Sequence, residues 1–120
     1  MIDHVGIAVA SYDRSRAFFT AALAPLGYEV LVEKDGQVGL GRKGRVRLWL
    51  SSATNTTRPV HLAIAAASED EVRAFYAAAL AAGADADGEP AMKFDGAGDY
   101  YGASVRDVED RKIEAVFRAD

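Results

Sequence analysis

The 120-residue chain nearly repeats itself. Residues 4–26 read HVGIAVASYDRSRAFFTAALAPL and residues 61–83 read HLAIAAASEDEVRAFYAAALAAG. Laying His61 on His4, a shift of 57 positions, makes 13 of 23 residues identical. A repeat of this length implies two copies of one supersecondary unit arranged about an approximate two-fold. Each copy opens with a histidine, and the chain has no others. A two-fold that brings two imidazoles together is a natural start for a metal or catalytic site.

One domain is expected at this length, with enough chain to bury a core unaided. Half the residues are hydrophobic, which argues against disorder. The absence of cysteine excludes disulfides, thiolate metal sites and thiol nucleophiles. No apolar run approaches the roughly 20 residues of a membrane span, and the first residues lack the layout of a signal peptide. The expectation is a cytoplasmic protein that binds neither membrane nor nucleic acid, the latter disfavoured by a net charge of −4. That balance suits a cationic ligand or simply solubility.

Residues 2–10 are apolar and partly β-branched, as in a strand buried on both faces. Ser11 reads as an N-cap, with Asp13 in the first turn of a helix over 12–26 and Gly27 as its stop. Extended stretches at 28–34, 37–42 and 45–51 follow, joined at Asp35-Gly36 and Lys43-Gly44. Residues 53–59 read as a linker between a first module, 1–52, and a second, 60–120. The second module repeats the order: a strand at 60–67, a helix from Ser68 (capping box with Glu71) to about Ala82, then strands at 100–106 and 111–118. Between them, 84–99 has weak periodicity and at best a short strand at 91–94. The reading is α+β: two tandem βαβββ modules forming an eight-stranded curved sheet around a cup, with the helices outside.

Alternation along the strands sorts side chains to two faces. Val5, Ile7 and Val9 oppose His4, Gly6, Ala8 and Ala10, while Leu62 and Ile64 oppose His61, Ala63 and Ala65. The large aliphatics belong against the helices. The other face then carries a histidine followed by glycine and alanine, which leaves room for a ligand. Ile113, Ala115 and Phe117 sort to the helix side, sending Glu114 and Val116 to the cup, where two imidazoles and a metal ion would compensate the carboxylate. Val46, Leu48 and Leu50 sort to the core, leaving Arg47, Trp49 and Ser51 for the cup.

On these residues the chain resembles the vicinal oxygen chelate superfamily, which includes glyoxalase I, the extradiol dioxygenases, and the fosfomycin- and bleomycin-resistance proteins. The resemblance spans essentially the whole chain. It rests on His4-Val5-Gly6-Ile7-Ala8-Val9 and His61-Leu62-Ala63-Ile64-Ala65, on Arg16-Ala17-Phe18-Phe19 and Arg73-Ala74-Phe75-Tyr76, and on Ile113-Glu114-Ala115-Val116-Phe117. Small bacterial glyoxalase-like members also carry a pair like Tyr100-Tyr101. The resemblance implies a divalent metal ion (Fe, Mn, Ni or Zn) held by His4, His61 and Glu114, and a homodimer. Three departures stand out. The fourth strand has no carboxylate or amide for a fourth ligand, only Arg47 and Trp49 on the expected side. Asp107-Val108-Glu109-Asp110-Arg111 replaces the usual Asp-Pro-Asp-Gly turn. Phe94–Asp99 replaces a histidine-rich loop.

Two histidines and a carboxylate form a facial set with open positions, in which the ion acts as a Lewis acid toward neighbouring substrate oxygens. In that reading Trp49, Arg47 and Tyr100 contact the substrate and Tyr101 donates a proton. Alternation sends one tyrosine to the helices, so at most one of the pair serves. Glu114 acts as base only by leaving the metal. Arg16 and Arg73 are read as exposed helix residues, and the acidic residues of 84–110 as a solvated loop. Two functions stay open: a metal-dependent glyoxalase- or dioxygenase-like enzyme on a small substrate, and a metal-free binding protein of the drug-resistance type.

Overall fold

Each half of the repeat builds the same four-stranded sheet in the computed structural model, which describes residues 2–54, 60–94 and 98–119. The first module runs β1 (Val5–Val9), α1 (Tyr12–Leu23), β2 (Glu29–Lys34), β3 (Gln37–Arg42) and β4 (Arg45–Ser52). The second runs β5 (His61–Ala65), α2 (Glu69–Ala81), β6 (Asp85–Phe94), β7 (Asp99–Arg106) and β8 (Lys112–Phe117). The sheet orders are β1-β4-β3-β2 and β5-β8-β7-β6, identical under the repeat. In each sheet the first strand pairs parallel with the last and the other pairs are antiparallel. A parallel pair needs a long crossover, and the helix supplies it.

The turns follow from local chemistry. Asp35-Gly36 and Lys43-Gly44 all have positive φ, the conformation of the two-residue hairpin turn that matches strand twist. Helix α1 tightens into a 3-10 turn over Ala24–Leu26, at Pro25, and Gly27 ends it at φ 85°. At α2, Ser68 Oγ accepts from the Glu71 amide and Glu71 Oε1 accepts from the Ala67 amide.

One core serves both modules. Phe18, Phe19, Leu23 and Leu26 pack with Val72, Phe75 and the aliphatics of both sheets, and the two helices lie against each other. Each fully buried Phe or Leu contributes about 1.5–3 kcal/mol. A second joint is polar. Glu109, in the β7–β8 turn, accepts from the amides of Ala10 (2.9 Å) and Ser11 (2.7 Å) and from Ser15 Oγ (3.3 Å). Beside it, Arg111 donates to the Ala8 carbonyl at 2.5 Å and pairs with Asp107 and Glu109. A carboxylate from the second module thus caps a helix of the first. Ser11 is the N-cap residue, as expected, but its own side chain makes no cap bond.

The structure corrects several expectations. Residues 85–94 form a ten-residue strand, β6. It lies at a sheet edge, and its register shifts between Ala86, Gly88 and Ala91 accommodate Gly88 and Pro90, residues that an interior strand tolerates poorly. Asp107 and Glu109 are paired with backbone and Arg111 rather than solvated. Arg73 is exposed, as expected, yet donates to the Tyr101 hydroxyl of β7 at 3.1 Å, while Arg16 is half-buried and ties α1 to Glu33 of β2 at 2.5 and 2.8 Å. Val46 leaves the core face. A register shift between Leu40 and Gly41 turns it over Gly39, where its methyls lie 3.0 Å from the place a Cβ would occupy. Residues 55–59 of the expected linker and 95–97 of the loop before Tyr100 lie outside the described residues.

Candidate functional site

Strands β1 and β5 occupy matching ends of their sheets and share an open groove of about 440 Å³. Its walls include Asp3, His4, Tyr28, Arg47 and residues 60–65. A second hollow of about 590 Å³ continues from β5 over β8 and is lined by His61, Ala63, Ala65, Tyr100, Glu114, Val116 and Arg118. The alternation read from sequence holds: Ile7, Val9, Ile64, Ile113 and Ala115 are buried, while Gly6, Ala8, Ala63 and Ala65 are exposed on the opposite face. The small side chains leave the hollow open.

His61 and Glu114 meet in this hollow. His61 Nε2 lies 2.6 Å from Glu114 Oε1. The imidazole is 56% exposed and the carboxylate only 10%, so the acid stands behind the ring and the ring faces the open space. Residues across the β5–β8 ladder set this pairing, with Ala63 opposite Glu114. When the neutral ring donates Nε2–H to the carboxylate, Nδ1 keeps the free lone pair.

His4 is placed differently. It lies just before β1, rather than within it as the sequence reading had it, and its Nδ1 pairs with Asp3 Oδ1 at 2.9 Å. The bond to His4, with Arg47 and Arg45 adding to it, holds the Asp3 carboxyl below its ordinary pKa. His4 and His61 share the β1–β5 groove, yet among the described residues no three His, Asp or Glu side chains come close enough to hold one ion.

Arg47 lines the groove as expected, donating to the Asp3 carbonyl at 2.8 Å. Tyr100 lines the hollow beside Glu114, with the Arg118 guanidinium 4.9 Å from its ring centre. Tyr101 does not reach it: its hydroxyl accepts from Arg73 on the helix side and its ring packs against the core. Trp49 sits on the concave face but lies over Gly39, its Cη2 3.1 Å from that residue's missing Cβ, and lines neither cavity.

Sequence reasoning missed Tyr28, whose hydroxyl burial pushes up in pKa while Arg42 and Arg47 pull it down. It also missed a smaller basin of about 370 Å³ walled by Tyr28, Arg42, Lys43, Arg45, Arg47 and Ala65. Four cations within residues 42–47 of an acidic chain were the available signal.

The sequence profile of the Glyoxalase/Bleomycin resistance protein/Dioxygenase superfamily matches residues 1–114, and the chain belongs to that family. A glyoxalase/bleomycin resistance protein from Albidiferax ferrireducens T118 is similar at 27% identity and TM-score 0.83, over 97% of this chain and 98% of that one. A glyoxalase/bleomycin resistance protein/dioxygenase family enzyme from Burkholderia phytofirmans PsJN is 16% identical with TM-score 0.75, over 97% of each chain. TioX from Micromonospora sp. ML1 is 17% identical with TM-score 0.67, over 98% of each. No curated protein matches the chain.

The three donors implied by the resemblance do not fit a three-ligand ion as they stand. His61 and Glu114 are assembled, but among the described residues His4 is not gathered with them into a cluster of three donors. Module one also supplies no carboxylate at the place of Glu114. The repeat lays Ala63 on Gly6, and the residues paired with them are Glu114 and Trp49.

Proposed function

We propose that this protein is a glyoxalase-like enzyme that moves a proton on a small oxygenated molecule, with His61 as proton carrier and Glu114 as the group that orients and charges it. The observation that carries this reading is the 2.6 Å bond between an exposed imidazole and a nearly buried carboxylate in an open hollow. A carboxylate in that position holds the ring in one tautomer and stabilises the imidazolium that forms on protonation. His61 Nδ1 takes a proton from carbon beside a carbonyl and returns it to the neighbouring atom. Arg47 and Arg118, on the walls of the adjoining cavities, supply positive charge near the oxygen that becomes negative. Tyr100 orients the substrate from the β8 side.

The test is solvent deuterium wash-in, followed by NMR over a panel of small 2-hydroxy and 2-oxo carbonyl compounds. The native chain is expected to label at least one compound. His61→Gln and Glu114→Gln are each expected to slow labelling at least about a hundredfold. A second reading, a binding protein without turnover, is favoured by Trp49 standing where module two has its carboxylate. It predicts ligand binding by the native chain with no labelling of any compound.

A further inference from the structure

The basin at the β3–β4 turn concentrates charge that runs against the rest of the molecule. The chain carries −4 overall, yet Arg42, Lys43, Arg45 and Arg47 wall one small hollow with Tyr28, and among the described residues no carboxylate lines it. Asp3 pairs with these cations from outside the hollow, at 3.9 Å from Arg45 and 3.7 Å from Arg47, and it also pairs with His4. Glu29, paired in register with Gly41 on β3, does not line the hollow. Among the described residues, Arg42 and Lys43 have no ion pair; Arg42 donates to the Leu26 carbonyl instead.

Two positive-φ residues, Lys43 and Gly44, fold the turn so that cations from both strands reach one side. The bulge before Gly41 adds to this convergence. The basin is also continuous with the groove of His4 and His61, since Tyr28, Arg47 and Ala65 line both. Gathering like charges is unfavourable without a counter-ion. Guanidinium forks with a neutral phenol hydroxyl suit a tetrahedral oxyanion.

We infer that this basin is an anion subsite that anchors the groove's ligand by a compact multivalent oxyanion, a phosphate monoester in chemical class, with the remainder of the ligand extending toward His61. That the anchored molecule is also the substrate rests on the proposed function; the anion site itself does not.

The test is a titration of the full chain with inorganic phosphate at constant ionic strength, read by amide NMR shifts. Saturable shifts are expected at Tyr28 and residues 42–47, with acetate at least about tenfold weaker. Lys43→Gln/Arg45→Gln removes two exposed charges that make no hydrogen bond among the described residues, and is expected to weaken phosphate about tenfold. Asp3→Asn removes the opposing charge and is expected to tighten it about threefold. Glycerol phosphate is expected to bind at least as tightly as phosphate, with shifts extending to Ala63. His61→Gln is expected to leave phosphate affinity unchanged, so loss of proton transfer and loss of this site are separable. Absent saturation, equal binding of acetate, or unaltered affinity in the double variant would overturn the inference.

Discussion

Trp49 and Glu114 stand at the same place in the two halves of this molecule: Trp49 is paired with Gly6 on β1 and Glu114 with Ala63 on β5, positions that the repeat superposes. One half closes its sheet with an indole over Gly39, and the other presents a carboxylate to an imidazole. At this place in the sheet only module two pairs a carboxylate with an imidazole. Trp49→Phe is expected to leave the deuterium wash-in rate within about twofold, because the ring lines neither cavity. Its cost in stability is expected to be about 1–2 kcal/mol, from lost packing of a partly exposed ring. A tenfold loss of rate would place the indole on the substrate.

Tyr100 and Tyr101 are expected to separate cleanly. Tyr101→Phe removes a hydroxyl held by Arg73 on the helix side, so wash-in is expected to stay within about twofold and stability to fall by roughly 1 kcal/mol. Tyr100→Phe alters the wall beside Glu114 and is expected to slow wash-in several-fold. Steady-state labelling rates of the two variants check this, and equal effects would contradict the assignment of faces.

Glu109 is expected to dominate acid sensitivity. Burial pushes its carboxyl up, but the amides of Ala10 and Ser11, with Arg111, outweigh that and leave it below the ordinary glutamate range. A lowered folded-state pKa contributes stability that is full above the unfolded value and lost as pH falls through the folded one. Urea unfolding of Glu109→Gln near neutral pH is expected to show a loss of about 2–4 kcal/mol, with a flatter decline on acidification than the native chain. Ser11→Ala, whose hydroxyl caps nothing, is expected to cost under about 0.5 kcal/mol. An unchanged acid limb in Glu109→Gln would contradict this role of the Glu109 carboxylate.

The paired supersecondary units were legible from the 57-residue repeat, and most strand faces from a period of two, which put His61 and Glu114 on one side; the gathering of His4 with them, read from the resemblance, does not appear among the described residues. Three features were not legible. Strand β6 contains Gly88 and Pro90, and only its edge position makes them tolerable. Val46 changes face through a bulge, which no alternation pattern reveals. Glu109 looked solvated because its partners, Ala10 and Ser11, lie 98 or more residues away in the chain. The basic basin was visible in the run at 42–47 but stood hidden behind the acidic total.

Among the described residues His4 is not gathered with His61 and Glu114 into one donor cluster. In equilibrium dialysis against Mn(II) or Zn(II), His61→Ala is expected to weaken whatever affinity the native chain has by at least about tenfold. His4→Ala, which removes a ring bound to Asp3, is expected to change it less than about twofold. Equal losses in the two variants would mean that the three donors converge after all.

His61 and Glu114 are expected to act as one unit, and the chain's two histidines make this directly measurable. Long-range proton–nitrogen NMR of the imidazoles at mildly alkaline pH resolves the tautomer of each ring. His61 is expected to be protonated at Nε2 with Nδ1 bare, a Glu114→Gln variant to lose that preference, and the His4 signals to stay unmoved. A His61 ring protonated at Nδ1, or one indifferent to Glu114→Gln, would contradict it.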